Sequence, residues 1–313
     1  MTSTLNDCVN CLAVHSIDEF VFSVPDLAQA RHFYESFGLD VRDEEGSLAL
    51  YTFGHGHRWG RLLQGTGKKK LQWITFGVFP ENLQCFESLL VERGVPRIEA
   101  PAEADAHGLW LRGPDGLALQ LRAAAKVSPS QPSPREFAPE SQNKGRSPSR
   151  SKAQSARPLY LSHLLLFSAD IDEATRFYED VLGLRLSDKS GSVIAFLHSP
   201  HGSDHHLVAL AKSDGPGLHH TSWCVSSIDA VGMGAQQMAQ AGYSEGWGIG
   251  RHVLGSNYFR YVRDPWGSYA EYSYDIDFVE AGAQWPSADH PGEDSLYVWG
   301  PMVPSDFVTN HEI

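Results

Sequence analysis

The chain has 313 residues, a formal net charge of -13 at pH 7 and 42% hydrophobic residues, which is room for two ordinary domains. The acidic balance repels phosphate backbones, and with no long basic stripe to offset it nucleic acid is excluded as a partner. No uninterrupted apolar run approaches a membrane span, and the opening "MTSTLNDCVNCLAVHS" lacks a basic start followed by an apolar core, so a soluble, cytoplasmic protein without membrane association is expected.

The four cysteines, Cys8, Cys11, Cys85 and Cys224, are too few and too scattered for a disulfide framework, and Cys8 and Cys11, a lone C-x-x-C, are expected to be ordinary reduced thiols. The segment "FVFSVPDLAQARHFYESFGLDV" (20–41) reads as an apolar strand, then a helix opened by Pro-Asp and stopped at Gly38. A second strand and helix follow in "LQWITFGVF" and "PENLQCFESLLVERGV" (71–95), and "GPDGLALQL" (113–121) closes the half on a Gly-centred turn. Residues 125–158 are then rich in Pro, Ser and charge, a linker expected to be mobile or to drape over the surface.

Beyond the linker the chain repeats itself. "LLFSADIDEATRFYEDVLGLRL" (165–186) aligns with 20–41, with Gly183 as the helix stop, and Asp170 followed by Glu173 resembles a capping box with Asp as the cap. "HHTSWCVSS" and "IDAVGMGAQQMAQAGY" (219–243) repeat 71–95, and "DPWGSYAEY" (264–272) repeats 113–121. Four strand–helix–strand modules paired two by two predict an α+β fold of two domains, 1–124 and 159–275, each of paired βαβββ modules forming an open cupped barrel. The tail, 276–313, is too apolar and aromatic for plain disorder; it is expected to wrap the barrel mouth or a neighbouring subunit, with Trp285 and Trp299 as anchors.

Three residues of the second half sit inside apolar, strand-like runs, a costly place for a polar group that nothing occupies. They are His163 in "LSHLLLF", His220 in "LHHTSW" and Glu271 in "YAEYSYDID". Two imidazoles and one carboxylate form the facial set that holds non-haem iron(II), with positions left open for a bidentate substrate and dioxygen. Fe(II) is the default metal; Mn(II) accepts the same donors. The repeat is an internal control: Glu19 falls opposite His163, Gln72 or Trp73 opposite His220, and Gln120 opposite Glu271. Singly, each residue reads as a hydrogen-bonded strand side chain; together, and in one copy only, they point to a metal.

The paired-module layout resembles the vicinal oxygen chelate superfamily, and the second half is similar to the type I extradiol ring-cleavage dioxygenases, over roughly 15–122 and 160–275. The resemblance implies that His163, His220 and Glu271 hold the metal. It implies that His206 in "DHHLVAL" stabilises reduced oxygen and then donates a proton, and that His252 and Tyr261 in "GRHVLGSNYFRYV" hydrogen-bond the substrate oxygens. Strand alternation allows only one of His205 and His206, and one of His219 and His220, to face the cup, and the resemblance to the family selects His206 and His220. Val253, Leu254, Gly255 and Ser256 stand where the family often has a polar Asn-Asp-His run, which removes an acidic partner from beside His252.

The implied reaction inserts both atoms of O2 into a catecholic diol or triol with meta-type ring opening. "DPWGSYAEYSYDIDF" with its tail resembles the branch acting on 2,4,5-trihydroxytoluene, which implies that triol or a similar substituted catechol of aromatic degradation as substrate. Two other readings stand beside it: a glyoxalase-like metal-dependent isomerase, and a metal-free small-molecule-binding protein of the same superfamily, against which the ligand set counts. The acidic surface and aromatic tail fit a homo-oligomer without requiring one.

Overall fold

The computed structural model describes residues 12–135, 145 and 147–313. The first half builds a seven-stranded sheet from β1 (Ser16–Val24), β2 (Asp40–Glu44), β3 (Ser47–Tyr51), β4 (Gly60–Gln64), β5 (Lys70–Val78), β6 (Leu109–Arg112) and β7 (Ala118–Ala123), in the order β2-β3-β4-β1-β5-β7-β6. At its centre β1 and β5 run antiparallel, and each is flanked by the strand that closes its own module in parallel, β4 beside β1 and β7 beside β5. Helices α1 (Leu27–Phe37) and α2 (Leu83–Glu92) make the crossovers. The Asp26 side chain accepts the Gln29 amide at 2.9 Å and starts α1, and Gly38 ends it in the left-handed region at φ +98°. A Cβ at Gly38 would meet the Ala156 carbonyl oxygen at 2.3 Å, so linker packing also requires this glycine.

The second half repeats the plan around β8 (Tyr160–Ser168), β9 (Arg185–Ser190), β10 (Ile194–His198), β11 (Ser203–Asp204), β12 (Val208–Lys212), β13 (Gly217–Cys224), β14 (Gly246–His252), β15 (Tyr258–Arg263) and β16 (Tyr269–Tyr274). Its helices are α3 (Ile171–Asp180), capped by Asp170 on the Glu173 amide at 2.9 Å, and α4 (Ile228–Gln240). The tail contributes β17 (Phe278–Val279), β18 (Ala288–Asp289), the single turn α5 (Gly292–Ser295) and β19 (Tyr297–Trp299). The resulting ten-stranded sheet has the order β18-β9-β10-β12-β8-β13-β16-β15-β14-β19, so the tail adds a strand to each edge. Both otherwise open edges are thereby paired.

The architecture is α+β, as expected. One module is incomplete: after α2 only β6 and β7 form, with a lone Arg97–Leu111 bridge where a further strand would lie. Pro96 and Pro101 stand in that stretch, and proline cannot donate to a ladder.

One large cluster of buried apolar side chains runs through both sheets. Phe37 at the end of α1 stacks on Tyr272 of β16 with ring centroids 3.9 Å apart, and the Tyr272 hydroxyl donates to the Phe37 carbonyl at 2.7 Å. Lys69 and Asp264 form a buried ion pair across the same junction. The described part of the linker drapes over the surface and is pinned there: the Ser128 hydroxyl donates to the His15 carbonyl at 2.6 Å and Arg135 pairs with Asp275 at 2.7 Å. Cys224 is a buried free thiol and Cys85 is disulfide-bonded; Cys8 and Cys11, the pair expected to be reduced, lie outside the described residues. No helix among the described residues is long and apolar enough to cross a membrane.

Candidate metal centre

Strand register assembles the centre. On neighbouring strands β8, β13 and β16, Ser222 of β13 lies opposite both His163 and Glu271. His220, two residues before Ser222, therefore shares the face between them. The Nε2 atoms of His163 and His220 are 3.3 Å apart and lie 3.4 and 3.5 Å from Glu271 Oε2. All three side chains are buried, and Oε2 has no hydrogen-bond partner. An orphaned carboxylate oxygen in the core is costly unless a cation occupies the point that it and two imidazole nitrogens face.

The surrounding hydrogen bonds fix each imidazole tautomer. Ser162 Oγ donates to Asp204 at 2.5 Å and so accepts from His163 Nδ1 at 3.2 Å, leaving His163 Nε2 with its lone pair. His219 Nε2 donates to the Phe307 carbonyl at 2.7 Å, so its Nδ1 accepts from His220 Nδ1 at 2.7 Å, and His220 Nε2 is also bare. Burial above all, then His219, His163 and His252, pushes His220 well below the ordinary imidazole range and keeps it neutral. Burial alone would raise the Glu271 carboxyl, but His163 and His252 hold it below its usual range, so it is ionised. Bare imidazoles and an ionised carboxylate are the donor states a divalent metal needs.

The centre closes the inner end of a cavity of about 130 Å³. His206, His252 and Tyr261 line it beside the three donors, and Leu165, Ile194, Phe196 and Leu254 form much of its wall. His252 Nδ1 donates to the Leu296 carbonyl at 2.7 Å, so its Nε2 accepts from the Tyr261 hydroxyl at 2.8 Å. Burial foremost, and then Glu271, pushes the Tyr261 phenol well above its ordinary range. The His206 ring packs on that of His163 with centroids 3.9 Å apart, and burial followed by the neighbouring histidines holds it neutral.

The tail contributes to the cavity wall: Ser295, Leu296, Val303, Phe307 and Val308 all line it. Trp285 does anchor, donating to Asp188 at 3.1 Å, but Trp299 is half exposed and holds the tail through its backbone pairing with Arg251. The Leu296 carbonyl takes up the His252 nitrogen for which the apolar run Val253–Leu254 offers no partner.

Of the first histidine pair His206 lines the cavity and His205 does not, as expected, but strand alternation is not the cause and does not separate the second pair. His205 and His206 lie in a bend rather than a strand, and their Nδ1 atoms are 3.1 Å apart. His219 and His220 are on β13, but a bulge skips His219 in the ladder, and it too lines the cavity. Three further contributors carry no motif. Asn257 donates to Glu271 Oε1 at 3.2 Å, Asp204 orients Ser162, and the main-chain carbonyl of Phe307 orients His219.

Residues 160–272 match the Glyoxalase/Bleomycin resistance protein/Dioxygenase superfamily. The chain is 47% identical to "Metapyrocatechase 2" of Cupriavidus necator over 300 residues, 96% of this chain and 93% of that protein. It is 32% identical to the biphenyl-2,3-diol 1,2-dioxygenase of Paraburkholderia xenovorans over 149 residues, 45% of this chain and 47% of that one. Among solved structures, catechol 2,3-dioxygenase aligns with a TM-score of 0.70 at 20% identity, over 95% of this chain and 98% of that chain. The Mn(II)-bound glyoxalase from Novosphingobium aromaticivorans aligns with a TM-score of 0.73 at 22% identity over 93% of both chains. At these identities the two structures share the fold, which hosts more than one chemistry.

Proposed function

The chain belongs to the extradiol dioxygenases of the vicinal oxygen chelate superfamily, and from that premise we propose that it cleaves a small, uncharged catechol with Fe(II) as its metal. The observation that carries this reading is the orphaned Glu271 Oε2 facing two bare imidazole nitrogens at the end of an otherwise apolar cavity. His163, His220 and Glu271 would hold the metal, with Mn(II) as the other cation suited to the same donors. When bound, the metal supplies a Lewis acid for the catechol oxygens and a path for electrons from ring to dioxygen.

The protein supplies position and protons. The Tyr261 hydroxyl and His252 Nε2, already bonded to each other, fix where a substrate oxygen sits and therefore which ring bond faces the oxidant. His206 is neutral and beside His163, placed to take a hydroxyl proton from the substrate and to return it when the ring opens. The apolar wall and the tail keep bulk water from the reacting ring.

The cavity also selects the ring. Among the described residues no lysine or arginine lines it, so a carboxylated substrate finds no partner there, whereas a methyl group packs against Ile194, Phe196 and Val303. Ser295 is a polar group on the wall that can meet a further hydroxyl. These features support 2,4,5-trihydroxytoluene or a similar alkyl catechol as substrate. The test is anaerobic loading with Fe(II) or Mn(II), addition of a panel of catechols, trihydroxybenzenes and carboxylated catechols, and then oxygen. Stoichiometric oxygen uptake with a ring-opened chromophore, greatest for the uncharged methylated rings and with Fe(II), is expected. Metal binding without oxygen uptake across the whole panel would sink the reading.

A further inference from the structure

Behind His206 lies a second chain of polar groups that the steps above do not use. Asp188 of β9 is buried, and its carboxylate accepts four hydrogen bonds. His205 Nε2 and Trp285 Nε1 bond Oδ2 at 2.9 and 3.1 Å; His290 Nε2 and the Ala288 amide bond Oδ1 at 2.9 and 3.0 Å. Burial would raise this carboxyl, but those donors, His205 first, outweigh it and hold it at about 2. A carboxylate in that state only accepts, so His205 carries its proton on Nε2.

With one proton on His205, its Nδ1 is a lone pair facing His206 Nδ1 at 3.1 Å. His206 must then donate from Nδ1, and its Nε2 is bare toward the cavity that it lines. The same logic fixes His163 through Asp204 and His220 through the Phe307 carbonyl. Every histidine of the centre is thus set by a fixed acceptor two bonds away or fewer, and in His206 the outcome is a group ready to receive a proton.

We propose that Asp188 and His205 are positioning residues for ring cleavage, a hydrogen-bonded dyad that fixes the His206 ring and its Nδ1–H tautomer so that Nε2 meets the substrate as a base. The role rests on the ring-cleavage reading, and neither residue touches substrate or metal donors. Replacing the hydrogen-bond partners of metal-bound histidines costs about 10–100-fold in activity or metal affinity, and a loss of that order in activity is expected for the partner of His206.

The decisive experiment uses histidine-15N-labelled protein, metal-free and zinc-loaded, with two-bond 1H–15N spectra reporting which His206 nitrogen carries the proton. Nδ1–H is expected in the wild type, and a mixed or Nε2–H tautomer in His205→Phe. With iron, His205→Phe should lose about 10–100-fold in kcat while KM and metal content change little. Asp289→Ala is the control for a loosened tail, because Asp289 accepts the Gly191 amide at 2.7 Å near β9 without touching Asp188; it should keep the wild-type tautomer and kcat. An unchanged His206 tautomer in His205→Phe, or an equal loss of kcat in Asp289→Ala, overturns the proposal. A wild type that consumes no catechol while the tautomer shifts as expected removes the ring-cleavage reading and leaves the tautomer control standing.

Discussion

The two halves of the molecule can be compared position by position, because the same bulges occur in both. His163 pairs with Ser222 as Glu19 pairs with Thr75, and the ladder skips His219 as it skips Gln72. His220 therefore corresponds to Trp73, which resolves the choice between Gln72 and Trp73, and Glu271 corresponds to Gln120. In the first half each of these positions is satisfied by other neighbours. Glu19 accepts from Arg58 at 2.7 Å and Arg61 at 3.1 Å, Gln120 bonds Thr75 at 2.7 Å and the His107 carbonyl at 2.7 Å, and Trp73 packs on Trp110. In the second half the same backbone holds three donors and leaves a carboxylate oxygen unpaired. The fold supplies the positions; reactivity comes from what the neighbours decline to neutralise.

The largest effect follows directly. Glu271→Gln should lose bound metal and ring-cleaving activity to background, measured by elemental analysis and oxygen uptake, because it removes the only anionic donor of the three. Glu19→Gln, at the position matching His163 and a buried carboxylate of the first half, should leave metal content unchanged and instead lower the urea midpoint, at a cost of about 1.5–3 kcal/mol for hydrogen bonds to charged groups. Loss of metal in Glu19→Gln would break the comparison, since it would make the first half part of the site.

The repeat, the four modules and the three donors are legible in the amino-acid sequence, because apolar periodicity exposes a polar residue in a core strand and because the other copy lacks it. What stays hidden depends on geometry that no residue pattern encodes. The expectation that strand alternation separates His205 from His206 assumes a strand where the chain bends. Main-chain carbonyls of Leu296 and Phe307 have no sequence signature, yet they set the tautomers of His252 and His219. Asp188 and His290 are 102 residues apart and look like solvent-facing polar residues in the sequence, but share a hydrogen bond of 2.9 Å. The tail is recognisable as apolar; that Glu312 near its end accepts the Leu71 and Leu218 amides, each at 3.0 Å and at matching positions of the two halves, is not.

An intermediate effect sharpens the contrast at the bulge. His219→Phe removes the acceptor for His220 Nδ1–H and should weaken metal binding by about 10–100-fold while the donors themselves remain. Gln72 occupies the same bulge and bonds the Ser23 hydroxyl at 2.8 Å. Gln72→Leu should leave metal affinity unchanged in a chelator competition. Equal losses in the two variants would mean that the bulges act through sheet geometry rather than through the His219–His220 bond.

The smallest effect concerns acid, where the halves should behave alike. His15 in the first half and His198 in the second are both held at about 4, in each case chiefly by burial, against an unfolded value of 6.5. Between those limits the unfolded chain binds more protons than the folded one, so stability falls as pH drops from 6.5 toward 4, by a slope of up to one proton for each histidine. Above 6.5 both contributions are complete, and below 4 they change no further. Urea midpoints taken across that window should fall less steeply for His15→Gln and for His198→Gln than for the wild type, and by similar amounts. His15 bonds the Ala124 carbonyl, whereas His198 bonds Ser187 beside the His205 carbonyl. A flatter response from His15→Gln alone would therefore show that charging His198 is relieved within the second half, and that the polar network behind the metal centre tolerates a proton that the first half does not.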